Sequence, residues 1–490
     1  MEHPVFITKV NTLPTGSKLC IIRINLFFKD SEMKVAELLK DIRKLHFVGI
    51  GGSGMFPIVE ILHREGYQIT GSDVNDGDLI SAERNMGIPV TIGHHQSNIK
   101  GAEALIATAA LLPGNPEIIH AKRLGIPVIQ RAEILGYLTS RFENSICVSG
   151  THGKTTTTSL IASILLFSGL DPAVIVGGKL PLISGYGRAG GGDTVVVEAC
   201  EYVDTFLHLD PAFSVILNVD ADHLDYFGSL EGVIKSFVSF AKLARKSVIA
   251  NRDDKNTVDA LSAIEGDKRI IWFGEDPEAD YVITDIINTG KARYSFTLGK
   301  DGKNIGGFSL QIPGKHNIHN AAAAAVTAFE NGCSKEDIQK GFDSFLGAGR
   351  RFEILGERRG VTVADDYAHH PSEIKVTLSA AKDMGFDRIW AVFQPFTFSR
   401  TKQLLQEFAD SLGVADRVVL TEIMGSREKN TFGVYTTDLV ERIPGSVWFS
   451  EFEDVAGYCA RNAGRNDLVI TLGCGDIYKA ARLIYEKLAE

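Results

Sequence analysis

Apolar residues follow two alternating rhythms along this chain. Short unbroken β-type runs give way to longer stretches in which apolar positions recur at helical spacing, the pattern of parallel strands covered by helices. The first series predicts a strand at Leu45 to Ile50, a helix at Met55 to Glu65 and a strand at Tyr67 to Gly71, with further strands at Ala104 to Thr108 and Ile126 to Gln130. A second series begins with the run Ser145 to Val148 and a buried-type helix through Ser159 to Leu166, and continues in the runs Val195 to Glu198 and Val215 to Val219. After Ala250 the period shortens to two at Tyr281 to Asn288, Tyr294 to Leu298 and Phe308 to Ile312, which predicts antiparallel strands inserted before an alanine-rich helix, Ala321 to Glu330. Gly347 and Gly349 then read as a hinge. Beyond them a third series places strands near Val361 to Ala364, Arg388 to Phe393, Arg417 to Leu420 and Leu468 to Leu472, with helices near Ser372 to Met384, Lys402 to Leu412 and Asp476 to Leu488.

The fold class that follows is α/β in three domains: a Rossmann-like N-terminal sheet (44–140), a central P-loop ATPase domain with an antiparallel insertion (141–346), and a C-terminal Rossmann-like domain (347–490). Residues 1–43 stand apart as an extension of unassigned role, with one short amphipathic helix foreseen from Met33 to Lys40. Either the extension is genuine or translation starts at Met33; the sequence leaves both open.

A length of 490 residues at 44% hydrophobic content suits several cores rather than one. The net charge of −10 argues against a general nucleic-acid surface, so an anionic ligand must be gripped locally. The six cysteines are scattered without zinc spacing and read as reduced thiols of a cytoplasmic protein. The greasy segment Leu19 to Phe28 is interrupted by Arg23 and Asn25, which disfavours both a membrane span and a signal peptide.

The chemistry concentrates where strands end. Ser149-Gly150-Thr151-His152-Gly153-Lys154-Thr155-Thr156 lies between a strand and a helix, the setting of a phosphate-binding loop. The glycines free backbone N–H groups to face a phosphate, and the helix N-terminus adds partial positive charge. Lys154 reaches the outer phosphates, and the Thr155 hydroxyl is a Mg²⁺ ligand. Val148 stands where the longer form of this loop has its first glycine. Glu198 and His223 end neighbouring strands and are candidate Mg²⁺ ligands with Thr155; the bland reading makes them a helix-start carboxylate and a capping histidine. In the first domain Gly49-x-Gly51-Gly52-Ser53-Gly54 follows a strand, and Asp73 lies where dinucleotide folds place a ribose-binding carboxylate, which alone suggests NAD. Asp365 to Pro371 also follows a strand end. From these residues alone an ATP-dependent ligase or kinase is favoured over an NAD-linked enzyme or a non-catalytic nucleotide-binding scaffold.

Gly150 to Thr156, Glu198 with Glu201, Asn218 to Asp225, Gly314 to Asn320, Gly349 to Phe352 and Asp365 to Pro371 together resemble the Mur ligases, the ADP-forming amide ligases of peptidoglycan precursor synthesis. The resemblance runs from about residue 44 to the end, including Gly93-His94-His95 and Arg131-Ala132-Glu133. It implies that the first glycine turn holds a UDP-sugar rather than NAD, through Gly49, Gly51, Gly52, Ser53 and Gly54, with Asp73, His94 and Arg131 contacting ribose, base or phosphate. It further implies that Gly150, Thr151, His152, Gly153, Lys154, Thr155 and Thr156 bind ATP, with His316 and Asn317 against adenine. Asn320 and Arg351 would serve the phosphates, Asp365 would sit near the ribose, and Thr155, Glu198 and His223 would hold Mg²⁺. The implied reaction spends ATP to join L-alanine to the lactyl carboxylate of UDP-N-acetylmuramate through an acyl phosphate. Arg400 would meet the amino-acid carboxylate, and His223 or His370 would take the ammonium proton; no membrane, nucleic-acid or obligate protein partner is implied. Two departures stand out: Ala199-Cys200-Glu201-Tyr202 replaces an acidic-Ser motif, and Phe396 and Thr397 stand where histidine and arginine are common. Lys235 is out of register with the carbamoylated lysine of some relatives. Competing readings are a ligase that attaches a ready-made peptide and a UDP-sugar sensor that uses ATP structurally.

Overall fold

The computed structural model describes residues 35–108, 114–264, 266–290, 292–426 and 428–489. Among them three sheets form, and each lies in one of the three series. The first contains β1 (Lys44–Val48), β2 (Gln68–Asp73), β3 (Val90–Ile92), β4 (Ala104–Ala107) and β5 (Val128–Gln130), all parallel in the order β3-β2-β1-β4-β5. β1 is central and β4 is buried on both faces, so both read as apolar runs rather than alternating ones. A helix over 35–41 lies just before β1 and inserts Val35 and Leu39 into this core. The stretch 35–41 is therefore packed structure; residues 1–34 lie outside the described residues.

The central sheet has ten strands: β6 (Asn144–Ser149), β7 (Ala173–Leu180), β8 (Gly185–Arg188), β9 (Thr194–Glu198), β10 (Phe213–Ile216), β11 (Ser247–Asn251), β12 (Ile270–Gly274), β13 (Tyr281–Gly290), β14 (Arg293–Lys300) and β15 (Lys303–Ser309). Their order is β15-β14-β13-β12-β11-β10-β6-β9-β7-β8. β13 joins β12 in parallel, β14 then pairs antiparallel with β13 and β15 with β14, so the expected insertion is an edge extension of the main sheet; at the other edge β8 pairs antiparallel with β7. The last of these strands is Lys303–Ser309 rather than the expected Phe308 to Ile312: ladder pairing ends at Ser309, and Leu310 and Ile312 are buried beyond the strand.

The third sheet contains β16 (Glu353–Arg358), β17 (Val361–Asp366), β18 (Arg388–Phe393), β19 (Arg417–Leu420), β20 (Val447–Trp448) and β21 (Asp467–Leu472), ordered β16-β17-β21-β18-β19-β20. β16 is an antiparallel edge, and the others are parallel. The first and central domains meet where the helix Phe56–Arg64 packs on β8. There Gly187 approaches so closely that a Cβ would lie 2.7 Å from Pro57. The central and third domains are joined through the 345–352 segment, with the Gly349 amide donating to the Lys179 carbonyl at 2.8 Å.

Candidate active site

β6 stops at Ser149 because Gly150, with φ 147°, turns the chain outward into the loop. The helix Lys154–Phe167 starts after Gly153, whose φ is 87° and where an added Cβ would lie 2.3 Å from Asn320 Oδ1, so no larger residue fits. The loop is held from beneath: the His152 amide donates to Asn218 Oδ1, and Asn218 Nδ2 donates back to the His152 carbonyl. Lys154 Nζ donates to the Gly150 and Thr151 carbonyls at 2.6 and 3.2 Å and to both Glu201 oxygens at 3.1 and 2.9 Å. Burial disfavours its charge, yet Glu201 beside it prevails and keeps the ammonium protonated. Glu201 is 1% exposed and supplies the lysine's counter-charge.

Thr155 Oγ1 donates to Glu198 Oε1 at 3.1 Å, and the other Glu198 oxygen accepts from the Gly177 amide at 2.8 Å. Hydroxyl and carboxylate thus stand together as hard oxygen donors of the kind Mg²⁺ takes. His223, the third expected Mg²⁺ ligand, has its Nε2 3.8 Å from Asp222 and its ring 4.6 Å from that of Tyr202. Its imidazole is pushed down by burial, only partly offset by Asp222.

Above the loop opens a cavity of about 460 Å³ walled by the central and third domains. His152, Gly153, Thr155, Thr156, Asn317 and Asn320 line one side, His316 and His319 the next, and Arg351 and Glu373 the third-domain wall. Asn317 Nδ2 donates to the Pro313 carbonyl, and Asn320 Nδ2 donates to Asn317 Oδ1 at 2.9 Å, so both amides are set before any ligand enters. Asp366, not Asp365, lines this cavity. The Asp365 carboxylate is turned into the third domain, where Arg350 Nε donates to it at 2.9 Å and Thr471 Oγ1 at 2.5 Å. Successive residues of β17 face opposite sides of its sheet, which is why the neighbours divide in this way.

The third domain brings further groups to the loop. His152 lies between Asp220 and Glu373, at 3.9 and 3.6 Å. Burial opposes its charge, but the two carboxylates beside it outweigh that and lift the imidazole to about 9. His370 is 6.4 Å from His152 between ring centroids, and burial pushes it down. Arg400 is close enough to Asp222, His223 and His370 for its charge to act on all three. The structure thus gathers Lys154, His223, His370 and Arg400 around one interdomain mouth.

In the first domain Asp73 Oδ2 accepts from the Gly51 amide at 3.0 Å and so braces the glycine turn from within. Arg131 NH1 lies 3.1 Å from where a Cβ on Gly54 would be. Its guanidinium faces this turn from one side and feels the charge of Glu198 from the other. His94 Nδ1 is 3.0 Å from Ser72 Oγ.

Comparison with known proteins fits this geometry domain by domain. The Mur ligase family catalytic-domain model matches residues 44–143, the Mur ligase middle-domain model 148–328 and the Mur ligase glutamate ligase domain model 350–475. A protein of Acetivibrio thermocellus called UDP-N-acetylmuramate–L-alanine ligase is 42% identical over 448 residues, 90% of this chain and 95% of its own. This chain belongs to the Mur ligase family.

A second relative of this Mur ligase, from Caldanaerobacter subterraneus and of the same name, is 42% identical over 92% of the chain and 98% of its own length. The crystal structure of the UDP-N-acetylmuramate–alanine ligase of Thermotoga maritima superposes with a TM-score of 0.79 at 27% identity, covering 91% of this chain and 99% of that one. A Thermotoga maritima MurF ligase solved with ADP shares the fold at a TM-score of 0.59 and 17% identity, over 86% of this chain and 95% of its own.

Three groups of this Mur ligase's site escape a reading of strand ends alone. Glu373 closes a capping box with His370 at the start of the helix Pro371–Lys382, so the spacing from His370 to Glu373 signals a cap while the carboxylate also faces His152. Asp253 accepts from His319 Nε2 at 2.8 Å and from the Glu275 amide at 2.7 Å, fixing one cavity wall. Glu117, in the N-cap signature Asn115-Pro116-Glu117, is fully buried beside His94.

Proposed function

We propose that this Mur ligase joins L-alanine to UDP-N-acetylmuramate with cleavage of ATP to ADP and phosphate, in cytoplasmic peptidoglycan precursor synthesis. The observation that carries the reading is kinship at 42% identity over nine-tenths of the chain with proteins named for that activity. The site geometry supplies the chemistry. A carboxylate cannot expel oxide, so the lactyl carboxylate must first attack the γ-phosphorus of ATP; its C–O–P linkage forms as the bond to ADP breaks. The alanine amine then attacks the acyl carbon and inorganic phosphate leaves with the electron pair.

In this reading the glycine turn at Gly49–Gly54, with Arg131, holds the sugar nucleotide at the mouth between the first and central domains. The cavity above Gly153 takes ATP, with His316 and Asn317 along the base, Asn320 and Arg351 toward the phosphates, and Asp366 in place of Asp365 near the ribose. Lys154, kept protonated, donates to the charge that builds on the γ-phosphoryl group. Thr155 and Glu198, with His223 as the third candidate ligand, would hold Mg²⁺, which would offset charge crowding between carboxylate and phosphate. Arg400 pairs with the alanine carboxylate. His223 and His370 are both held in the neutral form required of a base for the alanine ammonium. An ADP-release assay with UDP-N-acetylmuramate, ATP and a panel of amino acids and peptides tests the reading. Free alanine is expected to support turnover; turnover with a tripeptide but not with alanine would overturn it, as would no turnover at all.

A further inference from the structure

The first domain contains a buried charge that the reaction does not use. Glu117 lies in the first turn of the helix Pro116–Leu124, is 0% exposed, and faces two histidines and a serine. Its Oε1 accepts from Asn98 Nδ2 at 2.6 Å and from the His95 amide at 3.2 Å; its Oε2 accepts from Ser72 Oγ at 2.7 Å. His46 Nε2 stands 3.6 Å from Oε2, while its Nδ1 is 2.8 Å from Thr70 Oγ1. A carboxylate removed from water at this cost persists only where its partners are fixed. Here the partners belong to the end of β2 and to the 93–98 loop, the two segments that present His94.

The proton count decides what His94 offers. Ser72 has one hydroxyl hydrogen, committed to Glu117, so the 3.0 Å contact with His94 Nδ1 must run from Nδ1–H into the Ser72 oxygen. Glu117 Oε2 lies 3.4 Å from the same nitrogen and favours a proton there. In the neutral ring Nε2 then carries the lone pair and accepts hydrogen bonds. Such an atom suits an N–H or O–H group and repels the oxygens of a pyrophosphate.

We propose that Glu117 is a positioning residue for the sugar nucleotide: through Ser72 it fixes His94 as the Nδ1–H tautomer, so that Nε2 accepts from the uracil imide or a ribose hydroxyl. The inference rests on the reading that the Gly49–Gly54 turn binds a UDP-sugar. It makes Glu117 and Ser72 determinants of nucleoside recognition, although neither touches the ligand.

The test compares Glu117→Gln and Ser72→Ala with the parent enzyme. Each is expected to raise KM for UDP-N-acetylmuramate about tenfold, the size of one misplaced buried hydrogen bond. Neither should move KM for ATP, and kcat should stay within about twofold, as for uniform binding loss. Calorimetry with UDP alone should show the same weakening, since the contact is to the nucleoside. The ¹⁵N shifts of His94 should report Nδ1–H in the parent and a shift toward Nε2–H in the double variant Ser72→Ala/Glu117→Gln, which removes both the acceptor and the charge beside Nδ1. In a His94→Ala background, Glu117→Gln should weaken binding no further. Unchanged UDP affinity in Ser72→Ala, or an Nε2–H tautomer in the parent, would overturn the proposal. So would an equal loss with and without His94, which would mark Glu117 as a support of the domain only. Ser72→Ala keeps the buried carboxylate, so the test survives if Glu117→Gln does not fold. If Arg131→Ala and His94→Ala both left UDP affinity untouched, the site reading itself would fail; if they weakened it while Ser72→Ala did not, only this inference would.

Discussion

Lys154 shows how much a single side chain can be asked to do. Its ammonium is tied to two loop carbonyls and a buried carboxylate, so its position is set by the protein before any phosphate is near. Replacing it by methionine removes a donor aimed at developing phosphoryl charge, a loss of roughly 3–4 kcal/mol in transition-state binding by analogy with oxyanion donors. Turnover of Lys154→Met should fall accordingly, while calorimetry should find UDP-N-acetylmuramate affinity little changed, because the site proposed for that ligand is in the first domain. Equal loss of both would deny the separation of sites. A subtler expectation concerns Gly153→Ala: the added methyl group would meet Asn320 Oδ1 at 2.3 Å in a backbone conformation unsuited to alanine, so KM for ATP should rise sharply while KM for the sugar nucleotide holds. Much of this arrangement was legible in the sequence, because the loop glycines, Lys154, Thr155 and Glu198 announce themselves through type and spacing at strand ends. The exact partner of each carboxylate was not. Asp365 and Asp366 are adjacent and chemically identical, and only the facing of β17 separates the one paired with Arg350 from the one on the cavity.

Among the elements, the buried strands were the easiest to foresee. β18 and β19 match their apolar runs residue for residue, since a strand covered on both faces has nothing polar to blur it. Edge strands were the hardest: β16 is largely exposed or half-buried, and β15 begins with Lys303 and Asn304 and carries Gly306 and Gly307, so neither shows an unbroken β pattern. The alanine-rich helix starts at Asn317, four residues before its apolar period, because Asn317 and Asn320 in the first turn serve the cavity rather than the core. The 35–41 helix carries a prediction of its own. A chain beginning at Met33 should keep its melting transition and its turnover, since Val35 and Leu39 remain to fill the first-domain core. A chain beginning at Lys44 loses both side chains, worth roughly 1.5–3 kcal/mol each, and thermal unfolding should show a clear drop. Equal melting temperatures for the two would mean that this helix contributes no stability.

Across the whole molecule, the central and third domains share charges that sense pH. His152 belongs to the phosphate loop, while Glu373 opposite it belongs to the third domain. An imidazole raised to about 9 stabilises the folded pairing fully below its ordinary pKa near 6.5 and loses that contribution as pH climbs through 9. The difference in melting temperature between the parent and His152→Gln should therefore be largest near pH 6 and shrink above about pH 9. A difference independent of pH would place the stabilisation elsewhere. Arg400 tests the order of chemical events on the same scale. With Mg·ATP and UDP-N-acetylmuramate but no alanine, Arg400→Ala should still scramble a bridging ¹⁸O label in ATP, yet show a sharply raised KM for alanine in full turnover. Scrambling without the sugar nucleotide, or a variant that loses scrambling and keeps its alanine KM, would move Arg400 to the phosphate side.

Ala321 to Ala325 are all 0% exposed, on a helix packed against the one that begins at Lys154. Cores are usually vulnerable to shrinkage, because large side chains can be whittled away. Here the vulnerability runs the other way: at five consecutive positions almost every codon change enlarges the residue, and the helix has nowhere to retreat except along its own axis or outward. Its first turn carries Asn317 and Asn320, so an outward shift would move the floor of the ATP cavity. Drift in sequence at a place remote from any ligand would then be policed through nucleotide affinity, and selection would see a catalytic defect where the lesion is one of volume.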